Sequence, residues 1–505
     1  MINIIVDKCK GCSLCVKNCP LDAIEMIDKK AKTNSKCVSC GICFRVCPFG
    51  AIERTEEQEK NTVKCKNCPV SCAIPTGSTG ACKRYTNVNG EIKRNRKLVV
   101  EAVTKEPTNT KLPYKPLITA TGSGTNYPCC RPAPFIVQDN VNGVDVVTVV
   151  TEAPLSYSGV KVKIDTNMHI GEEGANIKRD GKVVGHITTE EYGSKMLSIG
   201  GANLLSHGND GFVVARTIVD LANGRRVTLK VENGSTLEIQ QGEAPIIDGL
   251  KEKLMRVGCG SATIGMFARF MSDVVDEAIV LDYHVIGLLS EHFAGEEVGM
   301  KYSGVVPAGV RSTRGRYFGE SGHGWGGTTI LNPIDAVKSV DMNTAKPGYK
   351  ILVTETTGQK ASLLEVQEDG SIKEISITED VINVVKLISD TCEESKVSVI
   401  CTGGTGGSAR AGVTKFPKKL TDAVHDEDIR MTVAGAPVFI LPGGGINFMV
   451  DVAKMVPEST TWVPTPATVV PIEYTMTRDE FEKLGGHTDH IIGMKELLEK
   501  LETEE

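Results

Sequence analysis

The chain has 505 residues, 40% hydrophobic and 24% charged, with a formal net charge of −6. That is enough for two to four domains with substantial cores, and the absence of any run of about 20 apolar residues excludes a membrane span. Seventeen cysteines would suggest disulfides in a secreted chain, but twelve of them fall in metal-type motifs, and the start, MINIIVDKCK, has only a short apolar run before the first motif; no signal peptide and a reducing cytoplasm are expected.

Two copies of C-x2-C-x2-C-x3-C-P open the chain: Cys9, Cys12, Cys15, Cys19 with Pro20, and Cys37, Cys40, Cys43, Cys47 with Pro48. This is the bacterial spacing for two [4Fe–4S] clusters, each needing four thiolates that converge on one small volume. Lys8–Glu25 aligns with Lys36–Glu53 at an offset of 28, with 9 of 18 positions identical, so the unit is a tandem duplication. Ala23-Ile24-Glu25 and Ala51-Ile52-Glu53 predict a short helix after each cluster loop, then a strand. Residues 1–55 resemble the bacterial two-cluster ferredoxin domain. The resemblance implies that the halves exchange their fourth ligand, giving Cys9, Cys12, Cys15 and Cys47 to one cluster and Cys37, Cys40, Cys43 and Cys19 to the other.

Cys65, Cys68, Cys72 and Cys82 follow, spaced C-x2-C-x3-C-x9-C. Four thiolates this close could hold a third iron–sulfur cluster or a zinc ion. Residues 1–100 carry 18 Lys+Arg against 9 Asp+Glu, and the remainder 39 against 54. Each oxidised cluster with its thiolates contributes about −2, which cancels part of this excess. The rest could steer an acidic partner such as a free ferredoxin. Without aromatic platforms or known motifs, nucleic acid is not an expected partner. Residues 91–134 read as a connector ending in a Pro-rich stretch with vicinal Cys129 and Cys130.

Residues 135–250 read as β-rich. Candidate strands are Val144–Val150, Val160–Ile164, Val183–Ile187, Phe212–Ile218, Arg226–Val231 and Thr236–Ile239, several separated by Asp180-Gly181, Asn223-Gly224 or Asn233-Gly234, pairs that supply the positive φ of tight turns. Helical character follows from about Leu250 to Ala278, then a strand over Ala278–Asp282. Further on, helix Asp380–Ser395, strand Lys396–Cys401 and a glycine loop containing Gly403 and Gly404 suggest an α/β arrangement. Strand Pro437–Leu441, a loop containing Gly443 and Gly444, and helix Ile446–Met455 repeat it. Both loops are candidate cofactor-binding anion sites at helix N-termini, or simply tight turns. The expected organisation is α+β and multidomain: a two-cluster ferredoxin-like domain (1–57), the third cysteine motif (58–90), the connector (91–134), a β-rich catalytic domain (135–340) and an α/β domain (341–505).

The densest polar constellation runs from Asp282 to Trp325. It contains Tyr283, His284, Glu291 and His292, then Arg311, Arg314 and Arg316, then His323 in a glycine-rich loop. Forked guanidinium donors suit a carboxylate or phosphate. Tyr283, His284 and His323 are candidate catalytic residues because histidine titrates near neutrality and a glycine loop permits close approach. A flavin, FAD or FMN, is the natural converter between one-electron clusters and hydride chemistry. Gly258-Cys-Gly-Ser-Ala-Thr263 is weakly similar to an S-G-A-T site of covalent FMN attachment, without the Gly between Ser and Ala.

The segments CKNCPVSC, GACKRY, TGSGTNYPCCRPAPF, LDYHVIGLLSEH, RSTRGRYFGESGHGWGGT and ILPGGGINFMVDV together resemble the 6-hydroxynicotinate reductase family of iron–sulfur flavoenzymes, over nearly the whole chain. The resemblance implies ferredoxin-coupled reduction of 6-hydroxynicotinate to 1,4,5,6-tetrahydro-6-oxonicotinate, with Arg311, Arg314 or Arg316 holding the carboxylate and His323, His284 or Tyr283 moving the proton. A homo-oligomer is expected. Two other readings stay open: a ferredoxin-linked reductase of another cyclic or unsaturated acid, and a non-catalytic electron-transfer subunit.

Overall fold

A computed structural model describes residues 1–55, 61–65, 70–95, 135–154, 159–188, 195–255, 258–405, 426, 429–441, 446–456, 459–463 and 467–502. Cys68, Cys129, Cys130, Gly443, Gly444 and most of the connector lie outside these residues.

The two halves of the N-terminal unit fold alike. One helical turn in each, Leu14–Lys17 and Ile42–Val46, carries the third cysteine of its motif, and the A-I-E segments open the strands Ile24–Ile27 and Ile52–Arg54. The expected helix therefore lies inside each motif rather than after it. The proline behind the fourth cysteine holds that cysteine out of helical geometry, and Cys47 is extended at φ −78°, ψ 110°. Strand Ile2–Ile4 pairs antiparallel with Ile52–Arg54, joining the ends of the unit. Ile2, Ile24, Ala31, Ala51 and Ile52 form its small core with Cys9, Cys15 and Cys43.

Beyond the connector, the strands from Phe135 to Lys251 and from Val397 to Gly493 join into one closed barrel. Its closure rests on strand Val397–Thr405, paired antiparallel with Gly159–Ile164 on one side and with Ile446–Asp451 on the other. The core is largely Val, Ile and Leu from alternate strand positions, the pattern that one buried sheet face requires. At the Asp180-Gly181 turn both residues have positive φ, 51° and 77°, as a tight hairpin demands.

Residues 254–394 form a second body inserted into the barrel. Its seven-stranded sheet contains the parallel pair Glu277–Asp282 and Lys350–Glu355 at its centre. Helices Gly260–Ser272 and Glu379–Thr391 cover one face, and residues from the 305–340 segment cover the other. The two ends of the insertion are tied together: Leu254–Met255 pairs with Glu393–Glu394, and the Ser395 N–H donates to the Lys253 carbonyl at 3.0 Å.

Three expectations are corrected. Phe212–Ile218 is not a strand but part of the helix Asp210–Ala222, whose buried Phe212, Ala215, Ile218, Val219 and Leu221 follow helical spacing despite the β-branched composition. Gly403 and Gly404 do not turn into a helix; they lie within the strand, opposite Phe448 and Asn447. Ile446–Met455 is not a helix either. It is strand Ile446–Asp451 followed by a short 3-10 turn, as the alternation of Ile446, Phe448 and Val450 with Asn447, Met449 and Asp451 permits. The α/β domain over 341–505 thus dissolves. Its first part completes the inserted sheet, and its second part completes the barrel.

Gly185 is a packing-critical position in the barrel: an added Cβ would lie 2.0 Å from the Ser198 carbonyl oxygen and 2.9 Å from Ile199 Cδ1. Gly185→Ala is expected to destabilise the protein by about 1–3 kcal/mol, in the range of other overpacked cores, read as a lower urea midpoint. An unchanged midpoint would contradict this packing.

Candidate functional site

In both halves of the N-terminal unit the cluster loop turns left-handed at the same two places. These are Gly11 (φ 70°) and Ser13 (φ 62°) in the first half, Ser39 (φ 53°) and Gly41 (φ 83°) in the second. The positions correspond under the 28-residue offset, with glycine and serine exchanged. At Gly11 the glycine is obligatory, since a Cβ would stand 2.5 Å from the Lys29 carbonyl oxygen. Cys9, Cys12, Cys15 and Cys47 line one cavity, closed by apolar neighbours such as Ile4, Met26 and Ala31. The other four converge separately. Burial pushes the Cys40 thiol up to about 12, with Cys19 and Cys37 adding to it, and burial raises Cys43 further, with Cys40, Cys37 and Cys19 contributing. Burial likewise pushes Cys15 up to about 11. In contrast, backbone N–H groups of Ala31 and Gly11 hold Cys9 below the usual thiol range. Thiols crowded in this way ionise readily only when a cation shares their space. Each set, with its fourth member drawn from the opposite half, fits a cubane. An N–H···S contact from Ala23 to Cys19 at 3.1 Å is the kind of hydrogen bond that tunes a cluster's potential.

Of the third set, Cys65 and Cys72 are buried with Val38, Ile74 and Ala81, and Cys82 and Cys40 pack at the margin. The Cys65 N–H donates to the Cys72 carbonyl at 2.8 Å. The third set therefore adjoins the second cluster loop. The whole unit docks on the barrel through Arg84 donating to the Ser459 carbonyl, Arg216 donating to the Lys17 carbonyl, and Arg45 lying over the Phe212 ring at 5.8 Å.

The polar constellation is only partly assembled as expected. Tyr283 sits in the turn between strands Glu277–Asp282 and Val285–Leu288 at φ 52°, a strained conformation for an aromatic residue. Its ring lies 5.3 Å from His284 and 6.0 Å from His169, and His169 meets His323 edge-on at 5.4 Å. The buried Lys195 places its ammonium 2.9 Å from the Tyr283 ring centroid. Gly327 lets the glycine loop close onto the barrel beside Tyr283, because a Cβ there would lie 2.0 Å from the Asn167 carbonyl oxygen. His169 and Lys195 come from the barrel, and Tyr283, His284 and His323 from the insertion, so the cluster spans the seam between the two bodies. Two buried polar atoms at this seam, Asn167 Nδ2 and His169 Nδ1, have no hydrogen-bond partner, which is uncommon in a folded interior away from ligand sites.

The three arginines are not gathered on one point. Arg311 pairs with Glu291 at 3.2 Å and Arg314 with Glu296 at 2.7 Å. Arg316 instead lies over the Phe318 ring at 5.1 Å, with its Nε enclosed and unpartnered; Phe318 in turn meets His284 at 5.7 Å. Arg316 is thus linked to His284 through the Phe318 ring. His292 belongs elsewhere: its Nδ1 accepts from the Ala294 N–H at 3.1 Å, capping a helix, which leaves Nε2 as the protonated nitrogen, 3.0 Å from Ser261 Oγ. Thr263, the hydroxyl of the flavin-attachment resemblance, is fully buried inside a helix with its Oγ1 enclosed; that segment does not fit covalent attachment. Gly403 and Gly404, within a strand, offer no helix N-terminus to a flavin phosphate. His169 and Lys195 carried no motif; they sit in a polar loop and at a strand start, over 85 residues from Tyr283.

A dicluster N-terminus carried by a large two-body protein defines an iron–sulfur oxidoreductase. The 4Fe-4S dicluster domain family matches residues 8–51. The 6-hydroxynicotinate reductase of Eubacterium barkeri is 55% identical over 499 residues, covering 98% of this chain and 100% of that protein. The chain belongs to the 6-hydroxynicotinate reductase family. No solved structure matches it, and among the described residues no helix is long and apolar enough to cross a membrane.

Two outcomes follow. If the fourth ligands are exchanged, Cys19→Ala and Cys37→Ala should leave the same residual electron-paramagnetic-resonance signal, and Cys47→Ala should match Cys9→Ala; matching within each motif instead would refute the exchange. Burial also holds His169 below the ordinary histidine range. The fold therefore favours its neutral form, and stability is lost as pH falls through the unfolded value of about 6.5 towards the folded one. His169→Gln should reduce the drop in melting temperature between about pH 7 and 5; an unchanged drop would show that His169 makes no contribution to it.

Proposed function

We propose that this chain is a ferredoxin-coupled reductase converting 6-hydroxynicotinate to 1,4,5,6-tetrahydro-6-oxonicotinate, with the seam around Tyr283 as its substrate site. The observation that carries the reading is the 55% identity along 98% of the chain to a protein named 6-hydroxynicotinate reductase. The reaction adds two electrons and two protons across one carbon–carbon bond of the pyridone ring and ends its aromatic stabilisation, so a low-potential donor suits it. The N-terminal clusters supply electrons singly, and the basic balance of residues 1–100 favours an acidic donor protein such as ferredoxin.

A flavin, when bound, converts single electrons into hydride equivalents. It belongs to the proposal on chemical grounds, because the glycine and threonine segments singled out for it, where described, do not form its cradle. The third cysteine set is proposed as a further cluster, supported by its position against Cys40. Arg316, linked to His284 through Phe318, is the proposed carboxylate partner, since its Nε has no partner among the described residues and a charge-assisted bond there is strong. His323, His284 or Tyr283 delivers the proton or polarises the lactam oxygen. Lys195, on the Tyr283 ring, adds positive potential where negative charge develops on the substrate ring, and the neutral His169, edge-on to His323, orients that histidine.

Arg316→Ala is expected to raise the KM for 6-hydroxynicotinate by about tenfold or more, the loss of one charge-assisted hydrogen bond. Arg311→Ala and Arg314→Ala, whose partners are protein carboxylates, should change it by less than about threefold. An unchanged KM in Arg316→Ala would remove the carboxylate role. Anaerobically purified protein should contain about eight to twelve irons per chain and a flavin. Iron without flavin or turnover would favour a non-catalytic electron-transfer subunit.

A further inference from the structure

A second donor cluster lies far from the cysteines in sequence, in Leu484-Gly-Gly-His-Thr-Asp-His490. The helix Arg478–Lys483 ends in a left-handed cap: Gly485 has φ 74°, its N–H donates to the Glu482 carbonyl at 2.9 Å, and the Gly486 N–H donates to the Phe481 carbonyl at 2.8 Å. Gly486 can be nothing else, since a Cβ would fall 2.3 Å from the ring of fully buried Phe481. The chain then makes a single 3-10 turn, Thr488–His490, closed by the His490 N–H donating to the His487 carbonyl at 3.1 Å. In that geometry residues three apart eclipse, so His487 and His490 stand on one side. Their rings are perpendicular with centroids 5.8 Å apart, and the Asp489 carboxylate is 3.6 Å from His490 Nε2. One ligand atom from each of His487, Asp489 and His490 lies within 4.8 Å of the other two.

Two imidazoles and one carboxylate are a donor set for a first-row divalent ion, with zinc foremost. We infer that His487, Asp489 and His490 bind one such ion, leaving its remaining positions to water. Bonds of about 2.0–2.2 Å require the donors to draw together slightly. Asp489 and His490 are exposed and free to do so, while the glycine-built turn holds the backbone. An exposed Asp–His pair alone contributes little stability. A bound ion would clamp the turn that leads into strand Ile491–Gly493, which pairs with Ile136–Gln138 and seats the final helix.

The test uses the full chain with assembled clusters, made without a polyhistidine tag and titrated anaerobically with Co2+, whose visible absorption reports its coordination, then with competing Zn2+. The wild type should take up one equivalent more than the His487→Ala/His490→Ala double variant. Asp489→Asn should weaken that equivalent by about tenfold or more. Reductase activity should be the same in all three. Equal Co2+ uptake by wild type and double variant overturns the site, as does binding only above about 1 mM. Should the double variant fail to fold by circular dichroism, Asp489→Asn decides: undiminished affinity there overturns the inference.

Discussion

The structure depends on one antiparallel tie. Between Glu252 and Ser395 the chain leaves the barrel to build an entire second body, and it returns within hydrogen-bonding reach of where it left. Leu254–Met255 against Glu393–Glu394 fixes the two stems, and Val397 then resumes the barrel beside Ile164. A closure spanning about 140 residues is entropically costly and slow to form. Once made, it sets the insertion at a fixed angle over one end of the barrel. Two polar bonds cross between the bodies, Gln359 to Glu252 at 3.2 Å and Thr356 to Asn167 at 3.3 Å, while Thr166 to Glu252 at 2.8 Å and Ser395 to the Asp165 carbonyl brace the barrel at the two roots of the insertion.

That seam explains why strained and unsatisfied groups collect where they do. Glu355, almost fully buried, is held above the usual carboxylate range by burial while accepting from the Gly326 N–H at 2.9 Å and Thr357 Oγ1 at 3.2 Å. It anchors the glycine loop that carries His323. Tyr283 is pressed between Lys195 and the histidines. Neither body alone presents this arrangement, and a junction between two bodies is a common place for a small-molecule site.

The cluster unit was legible from the sequence because its information is local. Four thiolates within eleven residues, repeated after 28, admit few other readings, and the family segments extended the identification along the chain. The seam was legible only by halves. Tyr283, His284 and His323 stood out by density, but His169 and Lys195 reach them through barrel closure, which no local pattern encodes. Arg311 and Arg314 looked like Arg316 in sequence; only the positions of Glu291 and Glu296 separate them. Glycines misled in the C-terminal part. Gly403 and Gly404 weaken a strand in isolation, yet the ladder to Ile446–Asp451 pairs them with Phe448 and Asn447 and holds them extended. Phe212–Ile218 erred in the opposite direction, its β-branched composition masking a helical stripe.

The mounting of the cluster unit has a kinetic consequence. Arg216, which grips the unit at Lys17, lies on the helix Asp210–Ala222. That helix is bound at Asp220 to Arg179, beside the Asp180-Gly181 hairpin tip. Lys195 lies towards the other end of the same ladder, near the Thr188 end of the seven-residue strand Lys182–Thr188. Seven residues of strand span about 20 Å. If the seam is the substrate site, as proposed, electrons from the N-terminal clusters would have a wall of this order to cross, a width over which direct tunnelling is slow. The pace of electron delivery would then be set by a redox group bridging the gap, and the wall would keep the clusters from discharging wastefully into a ring bound at the seam.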